Sequence, residues 1–279
     1  MLSALRILRD VAVYRLEKRE MANLAASLTV MAALRLGLQD VAWRLAFGLL
    51  LNLSVYLAND WYDVEIDLAA PHKDHDKARF LSEHRGAVWG AQLVLVCGMA
   101  AIAVVHSLDL WVPLVVGAGL CWAYSAKLKR LPVADVATIS ICGVAGALVA
   151  VPLESRAGWA LAGLLGLYAA CFQTIQMVRD HDADAAFGVR TTAVHFGVRR
   201  AILLLRVLLA CCALYSVALL HLWIGLALLL APLMPARPEQ ADRAWNVARL
   251  WLGLVWLALV AAVWWTGSTA GLLVAVAIR

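Results

Sequence analysis

Two short acidic stretches of the chain carry side chains spaced to act together on one face of a helix. Asn59, Asp63 and Asp67 recur at every fourth position, and so do Asp180 and Asp184. Positions four apart on an α-helix are displaced by only about 40° around its axis, so each set shares a face. Stacked like charges repel one another and weaken a helix, and at a membrane boundary they are costlier still. A bound cation would offset this cost.

The chemistry of these side chains favours Mg²⁺ as that cation, because their carboxylate and amide oxygens are hard ligands. Mg²⁺ keeps several waters and is usually held by one or two carboxylates together with substrate phosphates. Two such clusters facing each other across a cavity would clamp a diphosphate, with Asn59 giving an amide oxygen or orienting a carboxylate. The alternative is that the acids are solvated helix caps. It stays open for Asp60, and for Glu65 and Asp182, which lie off the shared faces.

The elements that must position these acids are membrane helices. The chain is 64% apolar and 15% charged, whereas a soluble domain is roughly 45–50% apolar and about 25% charged. In lipid, backbone groups must be satisfied within the segment, and the alternation of a membrane barrel is absent, so apolar stretches of about 20 residues predict helices. We expect an all-α protein with about nine spans: 22–39, 42–61, 87–106, 109–125, 135–153, 158–178, 201–219, 221–235 and 247–266.

The distribution of charge predicts how this bundle is oriented. Most of the 24 Lys and Arg fall in alternate loops and in the N-terminal segment, and both acidic stretches lie on that same side. Basic loops stay cytoplasmic, so the N-terminus and the acids are expected there. We therefore predict a basic cytoplasmic segment over residues 1–21 and one membrane domain over 22–279, in a bacterial-type inner membrane. Residues 1–20 are charged and mixed, unlike a cleavable signal peptide. The charge pattern also argues against a nucleic-acid partner.

Three motifs of the chain resemble those of one known family, the UbiA superfamily of intramembrane prenyltransferases. The stretch Asn59-x-x-x-Asp63-x-x-x-Asp67 resembles its first aspartate-rich motif. The second is resembled by Asp180-x-x-x-Asp184 with its trailing glycine and threonine pair, Gly188 and Thr191-Thr192. Its basic segment after the fourth helix is resembled by Tyr124-Ser125-x-Lys127-x-Lys129-Arg130. The order of the motifs and the nine-helix plan agree over roughly residues 22–265.

This resemblance implies a nine-helix bundle around a central cavity and the transfer of a prenyl group to an acceptor. The donor would be a polyprenyl diphosphate and the acceptor hydrophobic, often an aromatic ring. By resemblance, two Mg²⁺ ions hold the diphosphate on five metal ligands: Asn59, Asp63, Asp67, Asp180 and Asp184. The four aspartates and Tyr124 are the expected catalytic residues. Breaking the allylic C–O bond needs stabilisation of the departing diphosphate and an anhydrous pocket for the cation.

Basic and aromatic residues near the motifs complete the candidate site. The expected diphosphate-binding residues are Asn59, Lys73, Lys127, Lys129, Arg179 and Arg190, with Lys77 and Arg79 as further candidates. Each Lys and Arg of this set has a competing role, because basic residues also set the orientation of membrane helices. Aromatic rings that could shield a cation by their faces are those of Tyr124, Trp122, Tyr56 and Phe172. Ordinary bundle packing explains these rings equally well.

The segment after the first acidic stretch departs from the family pattern, because only Pro71 and Lys73 echo its usual Asn-Lys-Pro-x-Arg-Pro-like stretch. The Arg-Pro pair often found before the first helix is also missing. These departures leave open the prenyl chain length, the acceptor and the oligomeric state. A terpene cyclase would perform the same ionisation without an acceptor. A transporter or a non-catalytic scaffold is the alternative from another class, although acids at a membrane edge, rather than mid-span, argue against transport.

Overall fold

The computed structural model describes residues 2–17, 22–69, 74–233 and 238–273, and within these ranges the fold is all-helical. A single bridge between His221 and Ala270 is the only β pairing of the described residues. Fourteen α-helices are present within these ranges: α1 Leu2–Glu17, α2 Ala22–Ala33, α3 Leu38–Tyr62, α4 Val64–Ala69, α5 His75–Glu83, α6 Arg85–Val105, α7 Gly119–Ala126, α8 Ala134–Ala147, α9 Arg156–Arg179, α10 His181–Ala186, α11 Thr192–Phe196, α12 Val198–Tyr215, α13 Leu222–Ala227 and α14 Ala241–Thr266.

Short 3-10 or π-helical turns extend or connect several of these helices. They span Leu108–Leu110, Pro113–Ala118, Leu128–Arg130, Leu148–Ala150, Ser216–Leu220, Leu228–Leu233 and Pro238–Gln240. The turn Leu128–Arg130 matters most for the site, because it carries the basic segment between α7 and α8.

Six helical segments within the described ranges are long and apolar enough to cross a membrane. They are Leu38–Tyr62, Arg85–Val105, Leu108–Ala126, Arg156–Arg179, Val198–Leu220 and Ala241–Thr266. Three further predicted spans coincide with shorter apolar helices, Asn23–Ala33, Ala134–Ala150 and Leu222–Leu233. At 1.5 Å per residue, a twelve-residue helix covers only roughly 18 Å of a hydrocarbon core of about 30 Å. The chain is an integral membrane protein. Six of the nine predicted spans coincide with helices of sufficient length within the described residues, and the count of nine stays a prediction.

The centre of the bundle is formed by α9 and the helices packed around it. Leu161 and Leu164 of α9 are fully buried, and they share one apolar cluster with Cys212 of α12 and with Leu252 and Leu259 of α14. Many large apolar side chains on the outer faces of α6, α12 and α14 are exposed, as lipid contact requires. Asp180 therefore directly follows a central helix whose apolar span is mostly buried.

A second, smaller cluster joins α1 to the bundle. Ile7 and Val11 of α1 are buried against Leu57 of α3 and Leu95 of α6. Residues 1–21 were expected to form a basic cytoplasmic segment, and its described part is a helix packed beside the C-terminal half of α3. The end of α3, where the first acidic stretch begins, is thus covered by α1.

Candidate active site

The first acidic stretch lies at a junction between two helices. Helix α3 ends at Tyr62, Asp63 adopts φ −99° and ψ 3°, and α4 begins at Val64. The backbone N–H of Asp63 donates to the Asn59 carbonyl at 3.0 Å, and that of Asp67 donates to the Asp63 carbonyl at 2.8 Å. The i→i−4 hydrogen bonds therefore continue across these residues, although α3 and α4 are two separate helices that meet at Asp63.

The second acidic stretch repeats this geometry. Helix α9 ends at Arg179, Asp180 adopts φ −91° and ψ 5°, and α10 begins at His181. The N–H of Asp180 donates to the Gln176 carbonyl and that of Asp184 to the Asp180 carbonyl, both at 2.8 Å. These dihedral angles belong to the sparsely populated bridge region in which many active-site residues sit. Asp63 and Asp180 thus lie at helix junctions. Asp67 and Asp184 each follow one hydrogen-bonded turn later.

Lys129 connects the two stretches. Its ammonium forms an ion pair with the Oδ1 atom of Asp63, and its positive charge also acts on Asp184. The hydroxyl of Tyr124 lies within electrostatic range of Asp63 and Asp184 as well. Residues roughly 120 positions apart in the chain therefore meet at one end of the bundle, around the basic turn that follows α7.

Asp184 has an environment that favours its protonated form. Half-burial of the carboxyl group, followed by the negative charge of Asp180, raises its pKa to about 6. A hydrogen bond with Thr191 and the charges of Lys129 and His181 oppose this rise. Burial disfavours a charged carboxylate in the absence of a counter-ion. This carboxylate is therefore electrostatically incomplete.

The remaining members of the predicted site differ in how exposed their side chains are. Asp180 is half exposed, and its Oδ1 atom accepts from Arg179 Nε at 2.8 Å. Asp67 is buried beside the end of α3, and Asn59 is partly buried. The side chains of Lys127 and Arg190 are exposed. Lys73, a predicted diphosphate ligand, lies outside the described residues.

Asp60 is buried as the counter-ion of two cations, although its role was left open by the sequence. Its side chain is 3% exposed, Oδ1 forms an ion pair with Arg15, and Oδ2 accepts from Lys77 Nζ at 2.9 Å. The Lys77 ammonium also lies 4.1 Å from the ring centroid of Tyr14. Lys77 was a candidate diphosphate partner, and the structure instead shows it bound within this cluster. The Asp60 cluster, defined by Arg15, Asp60 and Lys77, joins α1, α3 and α5.

The candidate aromatic shields have different surroundings. The ring of Tyr56 lies 4.3 Å from the guanidinium of Arg15, so its face is already occupied by a cation. Phe172 packs on Trp245 at 4.9 Å between centroids. Trp122 is exposed and meets Tyr62 edge-on. Tyr124 accepts a hydrogen bond from Gln173 Nε2 at 2.9 Å, which fixes its hydroxyl beside the acids.

Sequence reasoning missed Arg15, Gln173 and Asp135. Arg15 contacts Asp60 and Gln173 contacts Tyr124, and both of these partners lie far away in the chain. Asp135 has no solvent-exposed surface and lies in the first turn of α8. A charged residue opening an apolar span was a usable signal for Asp135, because such residues are rare at membrane depth without a partner.

The donor set of the two stretches fits Mg²⁺. The available donors are carboxylate oxygens and one amide oxygen, with no thiolate or imidazole among the predicted ligands. Within the described ranges, no three acidic, histidine or cysteine side chains form a metal cage of their own. Mg²⁺ needs no such cage, because it takes one or two carboxylates plus phosphate oxygens and water.

Comparison with known proteins gives a consistent result at the level of sequence. The model of the UbiA prenyltransferase family matches residues 21–238. A lycopene elongase/hydratase of Corynebacterium glutamicum is 29% identical over 222 residues, which cover 72% of this chain and 76% of that relative. A lycopene elongase/hydratase of Halobacterium salinarum is 29% identical over 165 residues, covering 54% and 56%.

Solved structures share the fold at lower identity. A structure described for digeranylgeranylglyceryl phosphate synthase superposes with a TM-score of 0.69 at 13% identity, covering 93% of this chain and 98% of that one. A UbiA homolog from Archaeoglobus fulgidus bound to GPP and Mg²⁺ gives a TM-score of 0.61 at 19% identity, covering 94% and 99%. These similarities extend over almost the whole chain and show the fold.

Proposed function

The chain belongs to the UbiA prenyltransferase family, and from that premise we propose that it transfers a prenyl group, with Mg²⁺, from an isoprenoid diphosphate to an apolar isoprenoid acceptor. The observation that carries the proposal is the position of Lys129, which pairs with Asp63 and acts on Asp184. One diphosphate bound there would meet acids from both stretches. The archaeal homolog bound to GPP and Mg²⁺ supports the same donor chemistry.

Each predicted side chain has a defined task in this proposal. Asn59, Asp63, Asp67, Asp180 and Asp184 would hold Mg²⁺, and bound Mg²⁺ supplies positive charge that stabilises the departing diphosphate. Lys129 would donate to diphosphate oxygens from between the two stretches. Arg179, Arg190 and Lys127 line the same end of the bundle and would neutralise further negative charge, as would Lys73.

The reaction follows from the polarity of this end of the bundle. The bond between C1 of the prenyl group and the diphosphate oxygen breaks, and the diphosphate leaves with the electron pair. The allylic cation is kept from water by apolar helix walls, with the ring of Tyr124 beside it. A double bond of the acceptor attacks C1 and forms a new C–C bond. The resulting cation then loses a proton to the released diphosphate.

An apolar polyene is the acceptor class best supported by the relatives. Proteins named lycopene elongase/hydratase align over most of the chain, and in two of those alignments at least 72% of the chain is covered. A polyene acceptor needs no charged anchor of its own. The departures of residues 68–77 from the common family pattern also fit an acceptor other than the usual aromatic acids. The sequence alone had left the identity of the acceptor open.

The proposal also includes the setting of the enzyme. Residues 22–279 would form one membrane domain, and the basic loops would hold the N-terminus and the two acidic stretches on the cytoplasmic side of a bacterial-type inner membrane. The prenyl diphosphate would approach from that side and its tail would enter the bundle from the bilayer.

Purified protein in lipid nanodiscs tests this function. It is supplied with Mg²⁺ and dimethylallyl or geranyl diphosphate, with lycopene or 4-hydroxybenzoate as acceptor, and products are identified by mass. We expect prenylated lycopene, lost in Asp63→Asn and Asp184→Asn but retained in the exposed control Asp182→Asn. Diphosphate release with a cyclised hydrocarbon and no acceptor would indicate a cyclase. No diphosphate release with either donor would contradict the proposal.

A further inference from the structure

Asp135 is a buried carboxylate that no role proposed so far requires. It has no exposed surface, and it lies in the first turn of α8, beside the basic turn Leu128–Arg130. It accepts hydrogen bonds from the N–H of Thr192 at 2.6 Å, from the N–H of Val136 at 2.8 Å and from the Thr192 hydroxyl. A buried carboxylate is stable only when its oxygens are satisfied in this way. Asp135 therefore fastens the start of α8 to the start of α11.

The hydroxyl of Thr192 extends this contact towards Lys129. It accepts from the backbone N–H of Val133 at 2.7 Å. Val133 has a φ of 69°, a left-handed conformation that is a genuine outlier for a β-branched residue. Such strain costs about 1–3 kcal/mol and persists only where surrounding contacts impose it. The backbone between Lys129 and α8 is thus held in a strained path by Thr192.

The neighbouring residue Thr191 extends the same contact towards Asp184. Its hydroxyl caps α11 by accepting from the N–H of Val194 at 3.4 Å, and it also hydrogen-bonds with Asp184. The carbonyl of Asp184 accepts from the N–H of Val189 at 2.8 Å. Thr191 thus contacts Asp184 in the candidate site, and the adjacent Thr192 contacts Asp135 outside it.

We propose that Asp135 and Thr192 are positioning residues that set the distance between Lys129 and Asp184, and so between the two acidic stretches. This inference rests on the proposed function, because it gives that distance a purpose. Apolar packing alone could hold α8 against α11 without burying a charge. Directional hydrogen bonds fix both backbones at defined points, which a diphosphate held from two sides requires.

The test replaces hydroxyl groups without changing side-chain volume. Thr192→Val removes the hydroxyl from the network, and Thr192→Ser restores it. Thr174→Val is the matched control, because Thr174 is equally buried in α9 and donates only to the Ala170 carbonyl of its own helix at 2.8 Å. Each protein in nanodiscs is measured for hydrogen–deuterium exchange without ligand, for melting temperature, and for the dissociation constant of geranyl diphosphate with Mg²⁺.

We expect Thr192→Val to exchange faster over residues 128–133 and 184–192 and to bind the diphosphate about tenfold more weakly, because the hydrogen bonds of the hydroxyl with Asp135 and Val133 are lost. Thr192→Ser should stay within about twofold of the wild type, and Thr174→Val should show neither change. Should Thr192→Val fail to fold, Asp135→Asn, which keeps the volume and one carbonyl oxygen, replaces it with the same expectation.

Unchanged exchange and binding in Thr192→Val, with a loss of melting temperature no different from that of Thr174→Val, would overturn the inference. A wild type that binds no geranyl diphosphate with Mg²⁺ would instead overturn the proposed function. In that case the exchange data still decide whether Asp135 and Thr192 hold the two segments together.

Discussion

Individual carboxylates of the site differ in how well the protein alone satisfies them. Asp60 and Asp135 are buried with an ion-pair or hydrogen-bond partner on each carboxylate oxygen, whereas Asp184 is half-buried with one side-chain hydrogen bond and the charges of Lys129 and His181 nearby. Asp63 pairs with the ammonium of Lys129, which is carried on the flexible four-carbon stem of a lysine side chain. The acids with partners on both oxygens stabilise the fold, whereas a bound metal ion would stabilise the incompletely paired ones.

The raised pKa of Asp184 gives the first prediction. Because its pKa of about 6 exceeds the usual value, the metal-free folded state gains stability from this group at low pH and loses it as pH rises through 6. Mg²⁺ needs the deprotonated form. Calorimetric titration between pH 5 and 8 should therefore show Mg²⁺ affinity, with diphosphate present, rising up to about tenfold per pH unit and levelling above 6. A flat profile in the wild type would contradict this assignment.

Gly188 gives a second prediction at the residue scale. It follows α10 with a φ of 68°, and its N–H donates to the Ala185 carbonyl at 3.2 Å. A side chain in this conformation costs about 1–2 kcal/mol. Gly188→Ala should lower the melting temperature and weaken diphosphate binding, while Gly188→Asn, better tolerated there, should lose less. Gly119→Ala, in open space within a helix, is the control that should be neutral.

Helices in this bundle approach one another closely where small residues face each other. At the crossing of α8 and α9, a Cβ on Gly143 would lie 2.7 Å from that of Ala169, and one on Gly166 would lie 2.5 Å from Val144 Cγ2 and 2.8 Å from the Ser140 carbonyl oxygen. Small residues are what permits such approach between membrane helices. This crossing aligns Asp135 at the start of α8 with the acids at the end of α9.

The third prediction concerns this crossing. Gly166→Ala must displace a backbone carbonyl as well as Val144, so it should destabilise the protein by about 1–3 kcal/mol, as overpacking of a core does. Gly146→Ala, on the facing helix α8 with no atom within 4 Å of the added Cβ, should leave stability unchanged. Thermal unfolding in detergent measures both. Equal melting temperatures for the two variants would show that the helices adjust freely.

Helix α1 packs against the bundle at the end that carries the candidate site, and it brings Arg15 to Asp60. Arg15→Met keeps the apolar stem but leaves Asp60 with Lys77 alone. We expect a loss of about 2 kcal/mol, since removing one partner from a buried ion cluster is costly. Arg9→Met is the control, because Arg9 is exposed and pairs with a partly exposed Asp10 at the surface, an interaction that contributes little. Denaturation in nanodiscs compares the two, and an equal loss would refute the role of the Asp60 cluster.

Orientation is the fifth prediction and belongs to the whole chain. Asp182 is exposed beside the second acidic stretch, and Glu154 precedes α9 at the opposite end of that helix. With the native cysteines replaced, Asp182→Cys should react only with a reagent that enters the cytoplasm. Glu154→Cys should react with an impermeant maleimide on intact cells. The reverse pattern would place the acids outside.

The sequence by itself determined the class of the protein and the identity of its acids. Apolar stretches as long as a bilayer must be helical, and aspartates at every fourth position must share a side of a turn, since both follow from local geometry. The same local rules could not show that helix α3 ends at Tyr62, nor that three of the nine apolar stretches form helices of only 10–17 residues.

Tertiary structure alone decided which polar side chains serve the site and which hold the fold. Lys77 and Lys129 are alike in sequence as basic residues of segments predicted to lie on the same side as the acidic stretches. Yet Lys77 is bound to Asp60, whereas Lys129 pairs with Asp63 and acts electrostatically on Asp184. Asp135 acquires its partner 57 positions away. Such contacts depend on how helices cross, and no periodicity along the chain records a crossing, because each helix repeats only the faces it must bury.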